Sequence, residues 1–94
     1  MFKLGRRIAG RGAMRLIHSV KNEQADELEV WVEPWCHPYL VPSGSVLVFH
    51  FEAKSEEAGR VDTELTPESH VIWFSSAYAP TAELDGKPIE PAWD

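Results

Sequence analysis

The sequence predicts an all-β fold, a single small antiparallel β-sandwich or barrel, on three observations. Short runs in which apolar and polar residues alternate are typical of strands with one buried face. Turn-forming proline, glycine and aspartate separate these runs at close spacing. No segment has the apolar spacing of an amphipathic helix. With 94 residues, 44% of them hydrophobic, the chain is long enough for one domain with one modest core.

The first two strands are predicted on either side of a polar loop. Residues 15–20 alternate loosely, residues 21–27 are polar, and residues 28–33 alternate cleanly. In this second strand the aliphatic residues share one face, and we expect them to face the core. Pro34 has no backbone donor and ends regular pairing. The face opposite the aliphatic residues holds Glu29, Trp31 and Glu33.

The strongest strand is predicted after a turn in the middle of the chain. Residues 39–41 form a short strand candidate, followed by a turn in which Pro42 presets φ and Gly44 permits a positive φ. Residues 45–54 then alternate with apolar side chains on both faces. We therefore expect this strand to be central.

The last third of the chain predicts two more strands and a hairpin. Residues 60–65 alternate, and residues 70–75 are apolar on both faces. Asp85 and Gly86 form a strong two-residue hairpin signal, because both central residues of that turn need a positive φ. Pro88 makes the arm after the hairpin an edge strand or an irregular tail.

Charge divides the chain into a basic arm and an acidic body. Residues 1–15 carry five of the nine basic residues and no acid, and residues 16–94 carry the other four with all fifteen acids. Because Met14 opens the first strand, we expect residues 1–13 to be a flexible basic arm and residues 14–94 to be the β-domain. A targeting segment, an upstream-start extension and a nucleic-acid contact are alternatives for the arm. The acidic body repels nucleic acid and anionic membranes, so we expect neither as a partner.

The residues that could carry catalysis do not form a recognised motif. Cys36 is the single cysteine, which excludes an internal disulfide and a cysteine-built zinc site. His37 follows it directly, and neighbouring side chains on an extended chain point in opposite directions, so the two do not make a nucleophile and its base. The sequence therefore favours a non-enzymatic binding or protein-interaction module with no cofactor.

One alternative is a degenerate metal-binding protein. A glycine, His50, Glu52 and a second glutamate partly resemble the first metal motif of the cupin barrels, which places an imidazole and a carboxylate on one strand face. Glu52 stands where that motif has a second histidine. His18 and His70 would complete the site if their strands paired beside residues 45–54. The competing interpretation is that His50 and Glu52 face solvent and pair with each other.

A segment of about nineteen residues has a recognisable pattern. Within residues 30–48, Glu33-Pro34-Trp35 is followed by a short spacer and a Pro-x-Gly turn that leads into a strand. The segment resembles a group of small, uncharacterised bacterial all-β proteins. Cys36 and Ser43 stand where members of that group carry glycine and proline. The resemblance implies a compact β-domain and no established activity.

Aromatic residues suggest a binding platform beside the same turn. Flat aromatic side chains with neighbouring carboxylates bind sugars and peptides, and the candidates here are Trp31, Glu33, Trp35 and Tyr39. Core filling is the competing interpretation for Trp35 and for Trp73. Trp31 lies between two acids on its strand face, so we expect it to contact a ligand or a second subunit.

Two strands leave an apolar face without cover. Residues 45–54 and 70–75 are apolar on both faces, whereas only one face of a sheet meets the core of a small sandwich. A covering loop in a closed barrel or a second copy of the chain would bury the other face, and we favour a homodimer. The expected partner is thus another protein or the chain itself, in the cytoplasm, and a role as an accessory part of a larger bacterial assembly fits equally well.

Overall fold

Two four-stranded β-sheets make up the protein in a computed structural model that describes residues 13–76 and 78–92. The first sheet has the order β1-β4-β7-β8 and the second sheet the order β3-β2-β6-β5. The all-β prediction is confirmed, but the barrel alternative is wrong because the two sheets are separate. The strands are β1 (Met14–Lys21), β2 (Leu28–Glu33), β3 (His37–Val41), β4 (Val46–Ala53), β5 (Val61–Leu65), β6 (Ser69–Phe74), β7 (Thr81–Leu84) and β8 (Lys87–Ile89).

The predicted turns have the backbone conformations that their residues favour. Gly44 has a φ of 83°, which a side chain would make unfavourable. In the hairpin between β7 and β8, Asp85 and Gly86 have φ values of 50° and 86°, as the two-residue turn requires. Pro88 lies in β8, an edge strand, as its missing donor predicts.

The prediction of purely antiparallel pairing is wrong for one central ladder. β2 pairs with β6 in parallel, with Trp31 opposite Val71 and Glu33 opposite Trp73. All other strand pairs among the described residues are antiparallel. Parallel neighbours need a long connection, and here β3, β4 and β5 lie between β2 and β6 in the sequence.

The two sheets share one aromatic core between their inner faces. Phe49 of the first sheet contacts Phe74 and Tyr39 of the second, with ring centroids 5.4 and 5.3 Å apart in edge-to-face geometry. Such pairs add to the stabilisation that burial alone provides. The rest of the core consists mainly of aliphatic residues that alternate along the strands, namely Val30, Val32, Val41, Leu47 and Ile72 among the fully buried ones.

One buried polar residue fastens the loops at one end of the sheets. The amide Nδ2 of Asn22 donates to the carbonyls of Asp26 and Val41, each at 2.8 Å, and its Oδ1 accepts from the backbone of Gln24. The backbone of Asn22 pairs with Ser45 and Gly44. The loop that the polar composition predicts is therefore held at its start by a buried side chain.

The proposed basic arm, residues 1–13, lies outside the described residues except for Ala13. Within residues 13–76 and 78–92, no helix has the length and apolar character needed to cross a bilayer.

Candidate functional site

The outer face of the second sheet presents two tryptophans. Trp31 on β2 points away from the core, as the alternation of its strand predicts, because Val30 and Val32 on either side are fully buried. Trp73 on β6 is 44% exposed, and Leu40 on β3 is 42% exposed. Large apolar side chains from three neighbouring strands therefore meet solvent on one sheet face.

Each of these indoles is fixed by a carboxylate. The Nε1 of Trp31 donates to Oε1 of Glu29 at 2.7 Å, and the Nε1 of Trp73 donates to Oε1 of Glu64 at 3.1 Å. Glu29 lies two residues before Trp31 on the same face of β2. Glu64 lies on β5, which pairs with β6. Because the only polar atom of each ring is bonded within the sheet, the ring faces are left for apolar or cation–π contacts.

The same face is rich in negative charge. Glu29, Glu33 and Glu64 form no ion pair with another described residue. A fourth acid, Asp62, lies 3.4 Å from the guanidinium of Arg60 at the start of β5. We call the surface formed by Glu29, Trp31, Glu33, Leu40, Glu64, Val71 and Trp73 the tryptophan face.

The structure changes the predicted membership of this platform. Tyr39 is 2% exposed and faces the core, where burial raises the pKa of its phenol, with a smaller contribution from Glu90. Trp35 packs partly buried against the core, in agreement with core filling. Core filling is wrong for Trp73, which lies on the outer face. Of the four predicted binding residues, Trp31 and Glu33 belong to the tryptophan face, and Trp35 and Tyr39 do not.

The turn that follows β2 contains the single cysteine. Cys36 has a φ of 57°, in the left-handed region, and the Glu33–Pro34 peptide bond is cis. The thiol lies 3.4 Å from Oε1 of Glu33. This hydrogen bond and the charge of the same carboxylate raise the pKa of the Cys36 thiol. A raised pKa lowers the thiolate fraction, which agrees with the expectation that Cys36 is not a nucleophile.

The proposed metal residues lie on the outer face of the first sheet. His50 and Glu52 share one face of β4, as predicted, but they do not pair with each other. His50 Nε2 lies 3.3 Å from Oε1 of Glu83 without hydrogen-bond geometry, and Glu52 lies 3.8 Å from Arg15. These groups line an open groove of about 640 Å³ together with the exposed side chains of Ile17 and Tyr78.

The two histidines that were considered as further ligands, His18 and His70, do not join this site. β1 pairs with β4, but His18 lies opposite Phe49 and therefore on the inner face. His70 is on β6, in the second sheet. In the described part of the chain, no three histidine, cysteine, aspartate or glutamate side chains are arranged to hold a metal ion.

The two outer faces differ most in how their charges are balanced. On the first sheet, Arg15 neutralises Glu52, and His50 faces Glu83. On the tryptophan face, three carboxylates form no ion pair with another residue of 13–76 and 78–92. Searches against protein families, curated proteins and solved structures find no match to the chain.

Proposed function

We propose that the protein is a β-sandwich interaction module that binds a polypeptide partner through the tryptophan face and catalyses no reaction. The observation that carries the proposal is the pair of outward-facing, hydrogen-bonded indoles on neighbouring strands, of which Trp31 is partly buried and Trp73 is exposed. Tryptophan is enriched among the residues that dominate binding energy at interfaces. A rigid indole loses little side-chain entropy when a partner covers it.

Charge argues for a partner other than a second copy. A twofold symmetric dimer through this face would place the three unpaired carboxylates of one subunit against those of the other. Like charges close together in a partly desolvated contact repel each other, so self-association is disfavoured. We therefore replace the expected homodimer by a different protein as the partner of this surface. A cytoplasmic setting in a bacterial cell is part of the proposal, supported by the free thiol of Cys36 and by the resemblance of residues 30–48.

A selection of random peptides displayed on phage tests the proposal. Peptides that bind the full chain are measured against Trp31→Ala and Trp73→Ala. We expect each substitution to weaken binding by about 2 kcal/mol, roughly thirtyfold. Ile17→Ala and Tyr78→Ala, on the outer face of the first sheet, are the matched controls and should bind like the wild type.

The melting temperature of each variant separates binding from folding. Trp73 is the more informative position, since its indole is 44% exposed and its loss leaves the core intact. If the selection yields no peptide, or only peptides whose binding survives both tryptophan substitutions in folded protein, the proposed function is wrong.

A further inference from the structure

We infer that the occupant of the tryptophan face is a short, extended segment of another protein that carries lysine or arginine side chains. This inference rests on the proposed function and names its partner class. It depends on the balance of charge at this surface, on the chemistry of the two indoles and on the size of the sheet face.

The unpaired carboxylates define the charge of the occupant. Glu29 and Glu33 flank Trp31 along β2, and Glu64 lies on β5, beside the strand that carries Trp73. Two of them already accept an indole N–H, and each carboxylate retains further acceptor positions. A cationic side chain would gain charge-assisted hydrogen bonds to these oxygens, which are stronger than neutral ones.

The two indoles also favour a positively charged occupant. A lysine ammonium or an arginine guanidinium over the face of a tryptophan is attracted by the electrons of the ring, and tryptophan is the best aromatic residue for this contact. Because Glu29 and Glu64 hold the indoles by their nitrogen atoms, the rings keep a fixed position beside the carboxylates. A cation can therefore contact a ring face and a carboxylate at once.

The dimensions of the face favour a segment over a broad surface. The four strands of the sheet, spaced about 4.8 Å apart, span about 14 Å. An extended segment rises about 3.3 Å per residue, so about five residues cross the sheet. Leu40 lies opposite Glu29, and Val71 lies opposite Trp31. They supply apolar contacts for those residues of the segment that lie between its cationic side chains.

Two matched peptides test the inference. One is a nine-residue peptide that alternates lysine with serine or leucine, and the other has glutamate in place of every lysine. Binding to the full chain is measured by isothermal titration calorimetry at about 25 mM and 250 mM salt. We expect the lysine peptide to bind at least tenfold more tightly than the glutamate peptide, and the high salt to weaken binding at least threefold because the contacts are exposed.

Charge-removing variants locate the contact. In the triple variant Glu29→Gln, Glu33→Gln and Glu64→Gln, all three side chains lose their charge. Residues 29 and 64 keep an oxygen that accepts the indole hydrogen bond. We expect the lysine peptide to lose at least tenfold in affinity. The matched control, Glu52→Gln with Glu83→Gln on the first sheet, should bind as the wild type does.

Other outcomes would overturn the inference in distinguishable ways. Equal binding of both peptides, or selected phage peptides that depend on the tryptophans yet lack cations, would refute the cationic occupant and leave the proposed function standing. A chain without residues 1–12 that binds the lysine peptide tenfold more tightly would show that the chain's own basic segment is the occupant. A dimer that Trp73→Ala converts to a monomer would show that a second copy is.

Discussion

At the scale of single residues, Asn22 tests how much a buried, hydrogen-bonded amide contributes to stability. Its side chain is 1% exposed and makes three hydrogen bonds to backbone groups. Alanine would leave the buried carbonyl of Val41 without this donor and would open a small cavity. We expect Asn22→Ala to lower the free energy of unfolding by about 2–3 kcal/mol, measured by urea denaturation.

The neighbouring Glu23→Ala is the matched control for Asn22, because the Glu23 side chain is exposed. It should change stability by less than about 0.5 kcal/mol. Equal effects of the two substitutions would contradict the assignment of a structural role to Asn22. Sequence alone gives no signal for this role, because residues 21–27 are polar except for Ala25 and a buried asparagine has the same local pattern as an exposed one.

At Cys36 we expect the backbone conformation to affect stability more than the thiol does. Its φ of 57° is unfavourable for a residue with a Cβ and costs glycine little. We therefore expect Cys36→Gly to raise the melting temperature. Cys36→Ala, which removes the thiol and keeps the Cβ, should not. A calorimetric scan of both variants in reducing buffer decides the point, and equal melting temperatures would show that the conformation is not strained.

At the scale of elements, Gly59 sets how closely the loop after β4 approaches the first sheet. A Cβ at this position would clash with Cδ1 of Leu16 and lie 2.9 Å from Cβ of Ala53. We expect Gly59→Ala to destabilise the fold by about 1–3 kcal/mol, as other overpacked sites do. In a Leu16→Ala background the same change should cost less, since one of the two clashes is gone. Additive effects in chemical denaturation would contradict this account.

The elements could be predicted from local pattern, but their partners could not. Alternation and turn residues located β1 to β6 to within two residues and placed Trp31 on an outer face, whereas β7 and β8 were indicated only by the hairpin signal at Asp85 and Gly86. Alternation is the same in parallel and antiparallel strands, so nothing local indicates that β2 pairs with β6. That pairing places Trp73 on the strand next to Trp31, opposite Glu33, and the sequence pattern had no means of showing it.

The interpretations of Tyr39 as a binding residue and of Trp73 as a core residue were wrong for a related reason. Residues 71–74 are all apolar. Alternation therefore does not say whether Trp73 or its neighbours point inward. Residues 39–41 are Tyr-Leu-Val, and in a run of three apolar residues either parity is reasonable. In the structure Tyr39 and Val41 are buried and Leu40 is exposed.

At the scale of the whole molecule, two partly buried histidines tie stability to pH. Burial lowers the pKa of His18, and burial together with the charge of His18 lowers the pKa of His70. The unfolded chain, with histidine pKa values near about 6.5, therefore binds more protons than the folded protein just below that pH. The contribution of these histidines to the free energy of unfolding is fully present above about pH 7 and falls as the pH is lowered toward 5. The fall is at most about 1.4 kcal/mol per pH unit for each histidine. It is smaller here because both side chains are partly exposed.

Urea denaturation at several pH values between 5 and 7.5 measures this dependence. The double variant His18→Gln and His70→Gln should flatten it. Ile17→Ala, which removes no titratable group, is the control and should keep the wild-type slope. A steep dependence that persists in the double variant would assign the effect to other groups.

Each half of the chain contributes to both sheets. Residues 14–53 contribute two strands to each sheet, and residues 61–92 contribute the other two. The halves are joined by the ladders β4–β7 and β2–β6 and by core packing such as that of Phe49 against Phe74. The segment from 54 to 60 is the covalent link between them. A half on its own has only two-stranded ribbons, which are marginal in water. We therefore expect two separately made fragments to be unfolded alone and to reconstitute the native protein when mixed, because both ladders and the shared core can form between separate chains and the link mainly raises their effective concentration.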